Sequence, residues 1–233
     1  EDLLEDQDVP CVGLFTGPEG RAHLVRQLVD AGRHVMTTKP FELDPEAAQN
    51  VLAHARSAGR VVHMNSPSPA PPDLAQIRAW QQEHELGQPV GARMESTASY
   101  REHADGSWYD DPDRCPVAPV FRLGIYLIND MVRLLGSPER VQVMHARLFT
   151  ERPTPDNALL TIGFANGAIG SLYASFCVDD RQCYRNSLIL NFERGTIFRN
   201  VGPTEAPDAG GADLALVKPA APESQAREIF RAT

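Results

Sequence analysis

Lys39-Pro40 is the pair of residues in this chain best placed to do chemistry. It follows a short apolar run containing Val35 and Met36 and precedes a new helical pattern, so it marks the end of a buried strand. Open α/β sheets bind ligands in the crevice outside the carboxyl ends of their strands. Proline fixes its own φ and biases the residue before it toward extended backbone, which holds the Lys39 ammonium at that crevice. A cation there can stabilise negative charge on a neighbouring group. The competing reading is an ordinary surface lysine in a strand-to-helix turn, and the surrounding elements must decide between them.

Those elements read as strand, helix, strand, helix, strand. Residues 9–16 form a short apolar run, followed by a turn at Gly17-Pro18-Glu19-Gly20. Leu24, Val25, Leu28 and Val29 recur at helical spacing, with Gly32 as the stop. The strand at 33–37 comes next, and Asp44 and Pro45 suit an N-cap and first helical position. Ala48, Val51, Leu52 and Ala55 line one helix face up to Gly59, and 60–65 is a third strand. Short links between alternating elements predict a parallel sheet covered by helices. The proline-rich stretch 66–72 is the best domain boundary, giving one domain at 1–67 and another at 68–233. The second begins with a helix from Asp73 to about His84 and a strand over 90–100. A helix from about Gly124 to Leu135, closed by Gly136, follows. Alternating strands at 141–149, 157–164, 168–176 and 187–192 are separated by turns such as Asn166-Gly167. The tail from Val201 reads as loop with a short closing helix.

Composition narrows the function classes. Hydrophobic residues at 42% and charged residues at 23% of 233 residues are those of a globular protein. A net charge of −9 argues against a nucleic-acid surface, and no apolar run approaches a membrane span. Cys11, Cys115, Cys177 and Cys183 have no CxxC spacing and no clustered histidines, so reduced thiols in a cytoplasmic protein and no metal site are expected. The seven histidines are scattered and receive no role.

Four blocks in order resemble the glucose-fructose oxidoreductase / inositol dehydrogenase / MocA family of nicotinamide-dependent dehydrogenases. They are Glu1–Val9, Ala31-Gly32-Arg33-His34-Val35 with Lys39-Pro40, Leu123–Asn129, and Phe164-Ala165-Asn166-Gly167-Ala168. The resemblance implies an NAD- or NADP-dependent enzyme acting on a sugar, polyol or related cyclic alcohol. Its fold would be the second half of a Rossmann-like parallel sheet, then a substrate-binding and dimerisation α/β domain with a mostly antiparallel open sheet. A homo-oligomer, dimer or tetramer, is implied for the full-length protein. A non-catalytic sensor or regulator of the same family stands as the alternative.

By the same resemblance Lys39 and Tyr126 are catalytic. Oxidising a secondary alcohol requires a group that takes the hydroxyl proton. A phenol, with an ordinary pKa of about 10, needs a nearby cation to do so. Asn129 lies on the same helix face as Tyr126 and would bind substrate. Trp108 matches a family aromatic near the sugar, with core packing as the competing role, and a packing aromatic is likewise the other reading of Tyr126. Arg122 is either an anion clamp or an exposed arginine at a helix start, and Asp130 a ligand contact or a solvated residue. Thr16, Gly17 and Pro18 would line the cofactor, with Thr38, Lys39 and Asn65 around the nicotinamide ribose and ring.

Departures from the family pattern accompany these matches. Tyr126 and Asn129 replace a usual His and Asp, Thr38 the glutamate before Lys-Pro, Arg122 an aspartate, and Val117-Ala118-Pro119 a glycine pair. No G-x-G-x-x-G occurs, because Gly13, Gly17 and Gly20 have the wrong spacing. The resemblance places that phosphate-binding unit upstream of Glu1, leaving open an upstream signal segment. A chain lacking it would bind NAD(P) negligibly, be inactive, and expose an apolar sheet around Val12, Leu14, Val35 and Val61.

Overall fold

The computed structural model describes residues 2–65, 72–180, 184–202, 213–219 and 226–231. Most of the proline-rich stretch 66–72, and Cys183, fall outside them. The chain divides into two compact units, 1–69 and 70–233.

After a single helical turn, α1 (Asp2–Glu5), the first unit contains three parallel strands in the order β1 (Cys11–Leu14), β2 (His34–Thr38), β3 (Val62–Asn65). Val12, Val35 and Val62 lie in register across them. The crossovers α2 (Arg21–Asp30) and α3 (Pro45–Ser57) cover this face, burying Val25, Leu28, Val29, Val51 and Ala55 with Val12 and Val35. Strand alternation sends Met36, 37% exposed, to the opposite face. The N-cap of α3 forms as its sequence predicts: Asp44 accepts from the N–H groups of Glu46 and Ala47 at 2.9 and 3.2 Å, with Pro45 at the first position. Such a cap contributes about 1 kcal/mol.

The second unit is built on an eight-stranded sheet. Helix α4 (Pro72–Glu83) leads into β4 (Pro89–Thr97), and a long loop carries a 3₁₀ turn at Trp108–Asp110. A π-helical segment, Val120–Gly124, runs directly into α5 (Ile125–Leu135), which ends at Gly136. The remaining strands are β5 (Pro138–Ala146), β6 (Asn157–Phe164), β7 (Ile169–Ser175), β8 (Arg185–Phe192), β9 (Gly195–Arg199), β10 (Asp213–Lys218) and β11 (Ala226–Arg231). Their order is β11-β10-β9-β8-β4-β7-β6-β5, with every pair antiparallel except β4 with β7.

The expectation of loop and helix beyond Val201 is corrected here, because 213–218 and 226–231 extend the sheet as a hairpin. The alternation that signals β10 is short, with only Leu214 and Leu216 turned into the core. Strand β9 also escapes a reading from sequence, since Gly195 and Thr196 hide its apolar content.

Helices α4 and α5 cover one face of this sheet. Leu127, Met131 and Leu135 recur every fourth residue on α5 and pack with Leu74, Ile77 and Trp80 of α4 against Leu160, Leu172, Leu188 and Ile197. Gly124 lets the start of α5 approach the sheet: a Cβ there would sit 2.7 Å from Cδ2 of Leu172, which is fully buried. Among the described residues no helix is long and apolar enough to cross a membrane.

Candidate functional site

In the first unit the candidate residues gather at the carboxyl ends of the parallel strands, where sheet geometry makes a crevice. Thr16-Gly17-Pro18 follows β1, Thr38 ends β2 with Lys39 next, and Asn65 ends β3 opposite Thr38. Thr16 and Asn65 are exposed, Gly17, Thr38 and Lys39 half-buried, and Pro18 buried. The Lys39-Pro40 peptide is cis. Thr37 ties the two strand ends by donating its hydroxyl to the Leu14 carbonyl at 2.7 Å.

Arg21, in the first turn of α2, is a residue that sequence reasoning misses. It is 1% exposed, and its guanidinium donates to the carbonyls of Thr16, Thr38 and Pro40, and at 3.3 Å to that of Phe41. Burial lowers its pKa, partly countered by the Glu42 carboxylate. Glu42 also accepts from the Ala22 N–H at 2.8 Å. A cation at a helix N-terminus opposes the macrodipole. That misfit is the signal in the sequence.

In the second unit Tyr126 and Asn129 occupy α5, Tyr126 half-buried and Asn129 exposed. Burial pushes the Tyr126 phenol above its ordinary pKa, and the Tyr184 and Tyr109 phenols add to the shift. Tyr184, another residue that sequence reasoning misses, shares a 2.5 Å O–H···O bond with Tyr100 and meets that ring edge-on at 6.2 Å. Trp108 packs on Tyr109 with centroids 4.3 Å apart and joins a small cluster around Ala98, Cys115, Leu123 and Phe176.

Arg122 is half-buried within this aromatic group. Its guanidinium carbon sits 3.9 Å from the Tyr109 ring centre and 4.8 Å from that of Phe176. Both terminal nitrogens reach Glu102 at 2.6 Å. Arg152 reaches the same carboxylate at 3.0 Å and also binds Asp105 and Asp110 at 2.9 and 2.6 Å. Asp110 in turn accepts from the Asp105 and Gly106 N–H groups. This network fixes the loop that carries Trp108 and Tyr109. Arg122 is therefore not the exposed helix-start arginine that is one of its two readings.

Asp130 is not the solvated residue of one of its two readings. Half-buried, it meets Arg199 together with buried Asp73, at 3.0 and 2.5 Å from one guanidinium nitrogen, where the three groups join α4, α5 and β9. Burial raises its pKa and Arg199 opposes the rise. Among the described residues no cluster of His, Cys, Asp and Glu is arranged to hold a metal ion.

The residues at the first unit's strand ends suit the ribose and ring end of a dinucleotide: neutral hydroxyl, amide and backbone groups, with one ammonium. Residues 74–198 match the family model described as the GFO/IDH/MocA C-terminal domain. Residues 1–66 match one described as oxidoreductase family, NAD-binding Rossmann fold. An uncharacterised oxidoreductase of Schizosaccharomyces pombe is 26% identical over 167 residues, covering 66% of this chain and 41% of the relative. The 1,5-anhydro-D-fructose reductase of Ensifer adhaerens is 22% identical over 178 residues, covering 76% of this chain and 53% of the relative. The chain thus spans about half the length of these curated relatives or less. Levoglucosan dehydrogenase, solved with NADH and levoglucosan, superposes with a TM-score of 0.76 at 16% identity, covering 99% of this chain and 63% of that one.

Proposed function

This chain belongs to the GFO/IDH/MocA family of oxidoreductases, and from that premise we propose that it serves an NAD(P)-dependent enzyme interconverting a secondary hydroxyl and a carbonyl on a sugar, polyol or related cyclic alcohol. The observation that carries the proposal is Tyr126, a half-buried phenol on the first turn of α5 whose pKa burial and the Tyr184 and Tyr109 phenols push above its ordinary value. Bound NAD(P) supplies the hydride chemistry. Thr16, Gly17, Pro18, Thr38, Lys39 and Asn65 hold it.

Tyr126 moves the proton. In the reducing direction its hydroxyl donates to the substrate carbonyl oxygen, and in the oxidising direction its oxygen takes the hydroxyl proton. Lys39, just past the end of β2, is the second residue assigned to the reaction, its ammonium offering positive charge at the nicotinamide end of the cofactor. Asn129 hydrogen-bonds a neighbouring substrate hydroxyl. Trp108 offers an aromatic face to the C–H surface of a ring, while Arg122 holds the loop that presents it. A cyclic, hydroxyl-rich substrate is favoured by this mixture and by the sugar substrates named for two relatives.

The open face of the second sheet supports self-association. Met144 and Leu159 lie opposite each other on β5 and β6 at 76% and 45% exposed, and Ile169 of β7, opposite Gly163 farther along β6, is 61% exposed. We assign this face to a homo-oligomer.

The test uses full-length protein with NADH or NADPH and 1,5-anhydro-D-fructose, and with NAD⁺ or NADP⁺ and levoglucosan. Turnover that falls about 100-fold or more in Lys39→Ala and in Tyr126→Phe is expected. Wild-type turnover in both variants refutes the assignment. Tight NADH binding with no turnover on either sugar would favour a sensor, the reading that Thr38 in place of the family's glutamate also favours.

A further inference from the structure

Arg21 occupies a position that local chemistry disfavours twice. Burying a guanidinium costs several kcal/mol unless its donors are satisfied, and the first turn of a helix repels a cation. Yet the side chain is 1% exposed, and its two terminal nitrogens donate to backbone carbonyls of two separate loops, while Nε is buried without a partner. Thr16 lies beyond the end of β1, while Thr38, Pro40 and Phe41 flank or follow Lys39 beyond β2. Strands β1 and β2 are paired only as far as Leu14 and Thr37. Past that point the sheet ladder no longer sets the spacing of the two chains, and Arg21 takes over.

Geometry favours arginine for this task. A planar guanidinium presents several N–H donors in a fixed fork and can bridge carbonyls in different directions. A lysine ammonium is a compact point donor on a flexible stem. Glu42 balances the buried charge from the same loop and caps α2 through the Ala22 N–H. Arg21 and Glu42 together therefore clamp 38–42 onto the start of α2.

We infer that Arg21 is a positioning residue, whose buried guanidinium joins the Thr16 and Thr38–Phe41 loops into one rigid lip and so fixes Lys39 relative to Thr16-Gly17-Pro18. The inference rests on the reading that this lip faces the nicotinamide end of the cofactor.

The experiment compares wild-type, Arg21→Lys and Arg21→Gln full-length proteins by hydrogen exchange and by NADH fluorescence titration. Exchange at least tenfold faster in segments 14–20 and 37–43, with α3 still protected and NADH affinity at least tenfold weaker, is expected in both variants, lysine being a poor substitute despite its charge. Wild-type exchange and NADH affinity in Arg21→Lys overturn the inference. So does exchange that rises uniformly through α2 and α3, which would make Arg21 a general stabiliser of the unit. Lys39→Ala is run alongside. Undiminished sugar turnover there sinks the proposed catalytic role, while the exchange data still decide the role of Arg21.

Discussion

Arg122 and Glu102 form a two-bond fork, each terminal guanidinium nitrogen lying 2.6 Å from a different carboxylate oxygen. The two side chains are only 10% and 24% exposed, and removing one partner leaves the other charge without its best contact. Arg122→Met should therefore destabilise the protein by about 2–3 kcal/mol, below the ~3–5 kcal/mol of breaking a fully buried pair because Glu102 is partly exposed and Arg152 still reaches it. Urea denaturation of the full chain measures it. A loss below about 0.5 kcal/mol would class the pair with exposed surface bridges.

The same carboxylate makes stability depend on pH. Hydrogen bonds from Arg122 hold the Glu102 pKa below its ordinary value against the opposing effect of burial. A depressed carboxylate pKa contributes stability that is fully present above the unfolded value, about 4.3, and is lost as pH falls through the folded value. The melting temperature should hold steady from neutral pH down to about 5 and decline below 4.3. Glu102→Gln should start lower and decline less. Parallel curves for the two proteins would assign acid lability to other groups.

Tyr126 sets a different limit. A phenol is already protonated at neutral pH and burial raises the Tyr126 pKa further, so reductive turnover should be flat there and fall only in the alkaline range above about pH 10. Tyr126→Phe should remove that alkaline limb along with about 100-fold or more of the rate. An alkaline limb that persists in the variant belongs to another group.

Gly124 carries the approach of α5 to β7. A methyl added there meets Cδ2 of buried Leu172 at 2.7 Å and the Ala174 methyl at 3.6 Å. Gly124→Ala should cost about 1–3 kcal/mol by overpacking, although alanine is the better helix former. Combining it with Leu172→Val should recover part of the loss. A more stable single variant would show that α5 can lift from the sheet without cost.

Charge on the open sheet face should disrupt assembly. Met144→Lys with Leu159→Glu replaces the opposed apolar pair of β5 and β6, and both residues are exposed, so folding should survive. Sedimentation of the full-length protein should show a smaller species than wild type. An unchanged oligomer places the interface elsewhere.

Local order was legible wherever the cause was local. The Asp44-Pro45 start of α3 rests on side chain and backbone within three residues, and the Gly136 stop of α5 on one glycine at φ 101°. Strand β6 is legible at its observed limits, Asn157–Phe164, because its buried alternation, Ala158, Leu160, Ile162 and Phe164, runs unbroken between turn signals. The short strands β9 and β10 are not, because too few core positions repeat in them to establish a period. Lys39 at a strand end and Tyr126 on a helix were legible as residue types at telling places. Their environments were not.

What only the tertiary structure decided is pairing at a distance. Arg122 finds Glu102 across 20 positions of sequence, and Arg199 finds Asp73 across 126. Arg21 reaches carbonyls 17 and 19 residues onward. Outside β9, β10 and β11, sequence alone determined which segments would be helix or strand, since propensity, periodicity and caps act over a few residues. It left open that Arg122 is held within the fold, that Asp130 belongs to an ionic triad, and that Arg21 braces the Lys39 loop. A charged side chain looks the same in sequence whether water or a partner satisfies it, and the partner is chosen only when the sheet order brings distant segments together.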